Sequence, residues 1–464
     1  MNSGEYMKDF IEYLKSGKRG HLIGVGGVSM EPLAEALNGM GVCVTGSDMS
    51  ESERTSHLRE LGVKVYIGHD ASNISDDTEF VVRTAAAHDD NPEIVYAREK
   101  GIPVFERAQA WGAIMRGYKN ALCISGTHGK TTTTSMCTHI LMAAEEDPTV
   151  MIGGTLPLLK SGHRVGKGDT IIMESCEYYN SFLSFYPTVA VILNIEPDHL
   201  DFFSGIEEIK ESFRKFALNV PKDTGYVVAN YDDENTMDAV RDIDRNVVTF
   251  GLSSKADVHA KNITHIGSQT KFDIIYHGKC IETVTIHVPG EHNLKNALAA
   301  AAACICMGMK PTAIKYGLAG FSGAGRRFEF KGKFNGADVY DDYAHHPGEV
   351  KALIDAVEQL GYKRTILVFQ PHTYTRTKAL FTDFIRQLKR VDLAYLAEIF
   401  AAREKNTLGI SSADLAAKID GAKFYPTFEE IVNSLRETAQ PGDIILTVGA
   451  GNVYKIGEYL LESN

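Results

Sequence analysis

The stretch ALCISGTHGKTTTTS, residues 121–135, decides how the rest of the chain is read. Its first four residues are apolar and suit a buried parallel strand, and the run then breaks at Gly126. Gly126 and Gly129 carry no Cβ, so the backbone amides between them can close around an anion. Met136, Ile140 and Leu141 recur at helical spacing, which predicts a helix whose positive N-terminal end faces that anion. The pattern is G-x-x-G-K-T. Its chemistry predicts Lys130 on the β- and γ-phosphates of a nucleotide and the Thr131 hydroxyl on Mg2+, with Gly126, Thr127, His128, Gly129 and Thr132 completing the cradle.

Working outward, 464 residues exceed a single hydrophobic core, and the length suggests about three domains. The formal charge of -12, from 48 basic and 60 acidic side chains, argues against bulk nucleic-acid or membrane-surface binding but leaves room for local anion pockets. The seven cysteines form no C-x-x-C pair and several lie in apolar runs, as reduced core residues do. With a polar N-terminus and no run of membrane-spanning length, the sequence predicts a soluble cytoplasmic protein without membrane insertion.

Before the phosphate loop, an amphipathic start (Phe10, Ile11, Leu14) leads into an apolar run at 21–25, then Gly24-x-Gly26-x-x-Ser29, and a second run at 42–45 ends in Gly46-Ser47-Asp48. This is a Rossmann-like opening with an acidic residue near the distance at which a ribose hydroxyl is held. Further strands at 64–67, 80–83 and 102–105 complete a first α/β domain, 1–118, with residues 83–92 as a loop at its carboxyl edge. The central domain, 119–322, is P-loop ATPase-like. Runs at 170–173 and 189–192 end in Glu174 and Glu177, and in Asn194, Glu196, Asp198 and His199, a donor set that suits a metal beside phosphates. His199 reads either as a ligand or as a structural histidine at a helix start.

Residues 226–272 read as short strands with polar turns at the outer edge of that domain. An alanine-rich helix follows in GEHNLKNALAAAAAC, 290–304, where Asn293 and Asn296 either cap it or read an adenine edge. Arg326 and Arg327, in a glycine-bracketed turn, suit phosphate. The third domain, 323–464, is again Rossmann-like α/β, with strands at 338–341, 365–369, 393–396 and 444–448. All four end in polar residues, including DDYAHHP (341–347) and QPHTYTRTK (370–378), which predicts one shared cleft. His345 and His346 read either as part of that cleft or as a cap and a packed ring before Pro347.

Taken in order, GTHGKTTTT, MESCEYYNSFL, NIEPDHLDFF, GEHNLKNALAA, GAGRRFE, DDYAHHPGEV, FQPHTYTRTK and AAREKN resemble the Mur ligase family of peptidoglycan synthesis. HLIGVGGVSMEPLAEAL and GSDMSES are similar to that family's UDP-binding domain, which replaces a nicotinamide reading of the first motif. The resemblance implies an ATP-dependent, Mg2+-requiring ligase that joins L-alanine to the carboxylate of UDP-N-acetylmuramate through an acyl phosphate. A recycling ligase that attaches a preformed peptide is the alternative within the family.

By the same resemblance Lys130 holds ATP phosphates, Thr131, Glu174 and His199 hold metal, and Asn293 and Asn296 contact adenine. Arg326 falls on the phosphates, Asp341 on the ribose and His345 at the reaction centre. Gly26, Gly27, Asp48 and Thr84 fall on the UDP-sugar, and Tyr343, His372 and Arg376 on L-alanine, in a pocket with room for little beyond a methyl group. Thr373 stands where many relatives have arginine, Ser29 and Glu31 depart from the usual first loop, and no lysine after Glu174 matches the carbamylated lysine of some members.

Overall fold

The computed structural model describes residues 9–402 and 404–462. Three sheets follow one another along the chain. In the first, five parallel strands lie in the spatial order Lys64–Ile67, Cys43–Asp48, Arg19–Ile23, Phe80–Arg83, Val104–Glu106. The strand order reverses between Arg19–Ile23 and Phe80–Arg83, and the glycine-rich turn and Thr84 sit at their carboxyl ends, where open α/β sheets take ligands. The N-terminal turn is a short 3-10 helix, Phe10–Tyr13. It buries Phe10 and Tyr13 and leaves Ile11 at the surface, so the inward face differs by two residues from the helical spacing expected of Phe10, Ile11 and Leu14.

The second sheet has ten strands. Asn120–Ser125 lies at its centre, hydrogen-bonded in parallel to Val189–Ile192 on one side and Thr170–Glu174 on the other, so three chemistry-bearing strand ends emerge side by side. Residues 226–272 are more ordered than short strands and turns. Tyr226–Asn230 and Asn246–Gly251 continue the parallel sheet with the helix Glu234–Ala239 between them, and Val258–Ile266, Gln269–Tyr276 and Lys279–Ile286 close it as an antiparallel meander. The phosphate-loop helix Lys130–Ala143 packs on one face against Glu291–Cys306, where every residue from Ala297 to Ala303 is fully buried. Small side chains let these helices approach closely.

The third sheet runs Glu329–Phe334, Ala337–Asp342, Asp443–Val448, Arg364–Phe369, Leu393–Leu396, Lys423–Phe424, parallel except for the first pair. The hydrophobic core is divided unevenly. One continuous cluster joins Leu22, Trp111 and Ile114 of the first sheet's layer to Cys123, Phe182 and Phe216 on a face of the second. The third sheet has two clusters of its own, one on each face. Among the described residues no helix is long and apolar enough to cross a membrane.

Candidate active site

The phosphate loop leaves its strand through Gly126, at φ 135°, and enters its helix through Gly129, at φ 84°. A Cβ at Gly129 would stand 2.5 Å from Asn296 Oδ1, so side chains are excluded by space as well as by backbone conformation. The neighbouring strand end holds the loop: the His128 amide donates to Asn194 Oδ1 at 2.8 Å, and the Glu196 amide donates to Thr127 Oγ1 at 2.9 Å. Lys130 folds back over the loop, its Nζ donating to the Gly126 carbonyl and to that of Thr127 at 3.1 Å. Burial opposes its charge, yet the Glu177 carboxylate, 3.6 Å away, and its acidic neighbours hold the ammonium above its ordinary pKa.

Thr131 donates its hydroxyl to Glu174 at 3.0 and 3.2 Å, and the Gly153 amide donates to the same carboxylate at 2.7 Å. Glu177 is 2% exposed and its Oε2 accepts no hydrogen bond. These oxygen donors, with one buried carboxylate oxygen left over, fit Mg2+. His199 has Nε2 3.9 Å from Glu177 and 3.7 Å from Asp198, its ring stacked on Tyr178 at 4.4 Å. It sits at φ 52°, a conformation rare outside glycine and one no sequence pattern announces. Asp198 faces Arg376, which donates from Nη2 at 3.0 Å and Nε at 3.3 Å, and Arg376 Nη1 is 3.2 Å from His372 Nδ1. Burial works against the Asp198 carboxylate, but Arg376 and His199 hold it well below the usual range.

The third sheet turns two of the expected residues away from the open cleft. Arg326, expected on the phosphates, turns into its own domain: it donates to Asp341 at 2.8 Å and to the carbonyls of Gly451 and Gly449 at 3.0 and 2.6 Å. Asp341, expected on a ribose, is 1% exposed and also accepts from Thr447 Oγ1 at 2.7 Å. Their neighbours take the open side. Arg327 reaches Thr131 Oγ1 at 3.3 Å across the domain boundary, and Asp342, held by the amides of Phe328 and Ala344, lines the cleft, with burial pushing its carboxyl up to about 6. Tyr343 is a third difference. Its ring lies 5.0 and 5.2 Å from the Arg326 and Arg327 guanidiniums and outside the cavity that holds His372 and Arg376. His345 is half-buried, its desolvation pulls its pKa down to about 4, and its Nδ1 lies 3.0 Å from the Tyr343 carbonyl.

Two cavities hold most of these residues. One, of about 390 Å³, is bounded by Gly129, Thr132, Asn293, Asn296, Arg327 and Asp342. The other, of about 590 Å³, is bounded by Tyr178, Asp198, His199, His372, Thr373 and Arg376.

Mur ligase sequence models match three consecutive segments: the family's catalytic domain at residues 19–119, the middle domain at 124–304 and the glutamate ligase domain at 326–451. The chain belongs to the Mur ligase family. A UDP-N-acetylmuramate--L-alanine ligase of Clostridium novyi is 46% identical over 97% of this chain and 98% of its own length, and one of Acetivibrio thermocellus is 46% identical over 96% of each. Among solved structures, the UDP-N-acetylmuramate-alanine ligase of Thermotoga maritima superposes with a TM-score of 0.78 at 27% identity, covering 96% of this chain and 98% of that one. A murein peptide ligase of Psychrobacter arcticus shares the fold, with a TM-score of 0.68 at 23% identity.

In this Mur ligase the first sheet carries its own constellation. The Gly26 amide donates to Asp48 Oδ2 at 2.9 Å, and Gly27 and Thr84 flank the same turn. The unusual Ser29 is bound through its hydroxyl by Arg107 and through its carbonyl by Trp111 Nε1 at 3.3 Å, while Glu31 is buried against His57 at 3.1 Å. Arg107 was not legible as a site residue. It lies 78 positions from Ser29, and nothing but the fold brings the two together. Asp342 and Glu349 line the smaller cavity without having been assigned a role from sequence, and Asn194 and Arg327, read there as a metal-side donor and a phosphate partner, line it too.

Proposed function

We propose that this Mur ligase uses ATP to join L-alanine to the lactyl carboxylate of UDP-N-acetylmuramate, a step of peptidoglycan synthesis in the cytoplasm. The observation that carries the reading is the near-full-length similarity to ligases of that name, combined with a phosphate loop that lines a cavity. In this division residues 1–118 take the UDP-sugar through Gly26, Gly27, Asp48 and Thr84, 119–322 take ATP, and 323–464 supply the amino-acid side.

The lactyl carboxylate attacks the γ-phosphorus and ADP leaves. The neutral amine of alanine then attacks the acyl carbon, phosphate leaves, and the amine proton passes to solvent or phosphate. Phosphorylation matters because a free carboxylate is a poor acyl donor. Lys130 and Arg327 offset the negative charge that brings two anions together, and Asn293, Asn296 and Asp342 orient the nucleoside. Thr131, Glu174 and His199 would hold Mg2+, which supplies further charge neutralisation at the transferred phosphoryl group. Arg376 exchanges Asp198 for the carboxylate of alanine, next to His372.

One observation favours a second reading, in which a preformed peptide is attached: the cavity of about 590 Å³ exceeds the needs of free alanine several-fold. Mass spectrometry of a reaction containing UDP-N-acetylmuramate, ATP and a mixture of amino acids and tripeptide decides between them. The alanyl product with stoichiometric ADP is expected, and predominance of the tripeptide product would overturn the alanine assignment.

A further inference from the structure

The ligase reading leaves the side chains of one cluster without a task. His128 of the phosphate loop, Glu196 beyond the strand Val189–Ile192, and His346 at the start of helix Pro347–Glu358 each bring a donor atom within 4.8 Å of the others. His128 Nε2 is 3.3 Å and His346 Nδ1 3.9 Å from the same oxygen, Glu196 Oε2, and a cation would take His346 Nδ1 from the Gly348 amide that it accepts at 3.2 Å. The second nitrogen of His128 is 3.3 Å from Glu349, the carboxylate partner that commonly fixes the tautomer of a metal-bound imidazole.

Gly348 supplies the independent observation. A Cβ there would lie 3.1 Å from Glu196 Oε2, 3.2 Å from His128 Nε2 and 3.4 Å from His346 Nδ1. The three donors thus crowd the face of Gly348, where any larger side chain would push them apart. Donor separations of 3.3 and 3.9 Å are close to the roughly 3.3 Å edge of a tetrahedral shell at ordinary zinc–nitrogen and zinc–oxygen distances. Two imidazoles with one carboxylate suit a borderline cation and not Mg2+, which prefers oxygen alone. His128 and Glu196 belong to the central domain, His346 and Glu349 to the third, and all but His346 line the nucleotide cleft.

We propose that His128, Glu196 and His346 form a binding site for a borderline divalent cation of the Zn2+ class, which clamps the third domain onto the phosphate loop and so inhibits turnover. The inhibition rests on the ligase reading; the binding does not. The test is a Co2+ titration of the full-length, metal-stripped, nucleotide-free protein, followed by visible d–d absorption. One equivalent should bind, be displaced by Zn2+ and resist excess Mg2+. His346→Asn, which keeps a helix-capping acceptor, and Glu196→Gln should each weaken Co2+ about tenfold or more, and Gly348→Ala should weaken it without removing a donor. His199→Ala should leave it unchanged. Absence of the band in the wild type, equal affinity in His346→Asn and Glu196→Gln, or loss in His199→Ala would each overturn the site. Should His346→Asn fail to fold, Glu196→Gln and Gly348→Ala decide.

Discussion

Replacing Arg376 with alanine tests the amino-acid side most sharply. The Arg376 and Asp198 side chains are only 12% and 11% exposed, and Arg376 offers Nη2 and Nε to one carboxylate oxygen. If the carboxylate of alanine takes that place, the wild-type enzyme gains two charge-assisted hydrogen bonds at about 1.5–3 kcal/mol each. Part of this is offset by releasing Asp198, which leaves about 3 kcal/mol, or roughly a hundredfold in kcat/KM for alanine, at 1.36 kcal/mol per tenfold. The KM for ATP should move by less than about threefold, because the nucleotide cleft is bounded by other residues.

A stability signature accompanies the kinetic one. The Asp198 carboxyl lies below its ordinary range, so it contributes stability above the unfolded carboxyl pKa of about 4 that disappears as pH falls through the folded value. Without Arg376 burial dominates and that contribution is lost. The variant should therefore melt below wild type near neutral pH, and the gap should narrow in acid. Coupled ADP release against alanine concentration, with melting curves at several pH values, measures both effects. A kcat/KM for alanine within threefold of wild type would refute the role given to Arg376, and a melting difference independent of pH would refute the electrostatic account.

Lys130→Ala should keep native circular dichroism and lose about 10³-fold or more in ADP formation, since the cation over the transferred phosphoryl group is removed. Arg327→Ala should slow turnover and leave the melting temperature within a degree or two. Arg326→Ala should instead cost about 3 kcal/mol of stability by leaving buried Asp341 unpaired, measured by denaturant titration. Burial pulls the His292 pKa down to about 4, so the ring favours the folded state above its unfolded value of about 6.5 and that contribution is lost as pH falls towards 4. His292→Gln should flatten this acid limb by on the order of 2–3 kcal/mol, read from unfolding at pH 7 and pH 4.5.

Strand positions were the most legible part of the sequence. Lys64–Ile67, Phe80–Arg83, Val189–Ile192 and Leu393–Leu396 stand at the bounds read from apolar runs alone, because each run is short and ends in polar residues. The phosphate loop was equally plain, its glycines being forced by backbone conformation. Which member of a neighbouring pair faces the cleft was not legible. Arg326 or Arg327, and Asp341 or Asp342, differ in which side of a strand or turn they face. That choice depends on Arg326 sitting at φ 58° and on a bulge between Phe330 and Gly332, neither of which composition reveals. Tyr343 follows the same turn and moves with it. The meeting of His128, Glu196 and His346 spans more than two hundred positions, so no local pattern encodes it.

The uneven division of the core sets where this protein can be cut and recombined. A chain severed near residue 118 would bare Trp111, Ile114, Phe182 and Phe216 together, since the first two sheets bury them in common. The third sheet closes over its own two cores and meets the rest through polar contacts such as Arg376 with Asp198 and Arg327 with Thr131. As a cooperative unit the molecule is therefore two bodies and not three. The portion from 323 onward is the more separable part, because its two cores are its own, while the first two sheets share one.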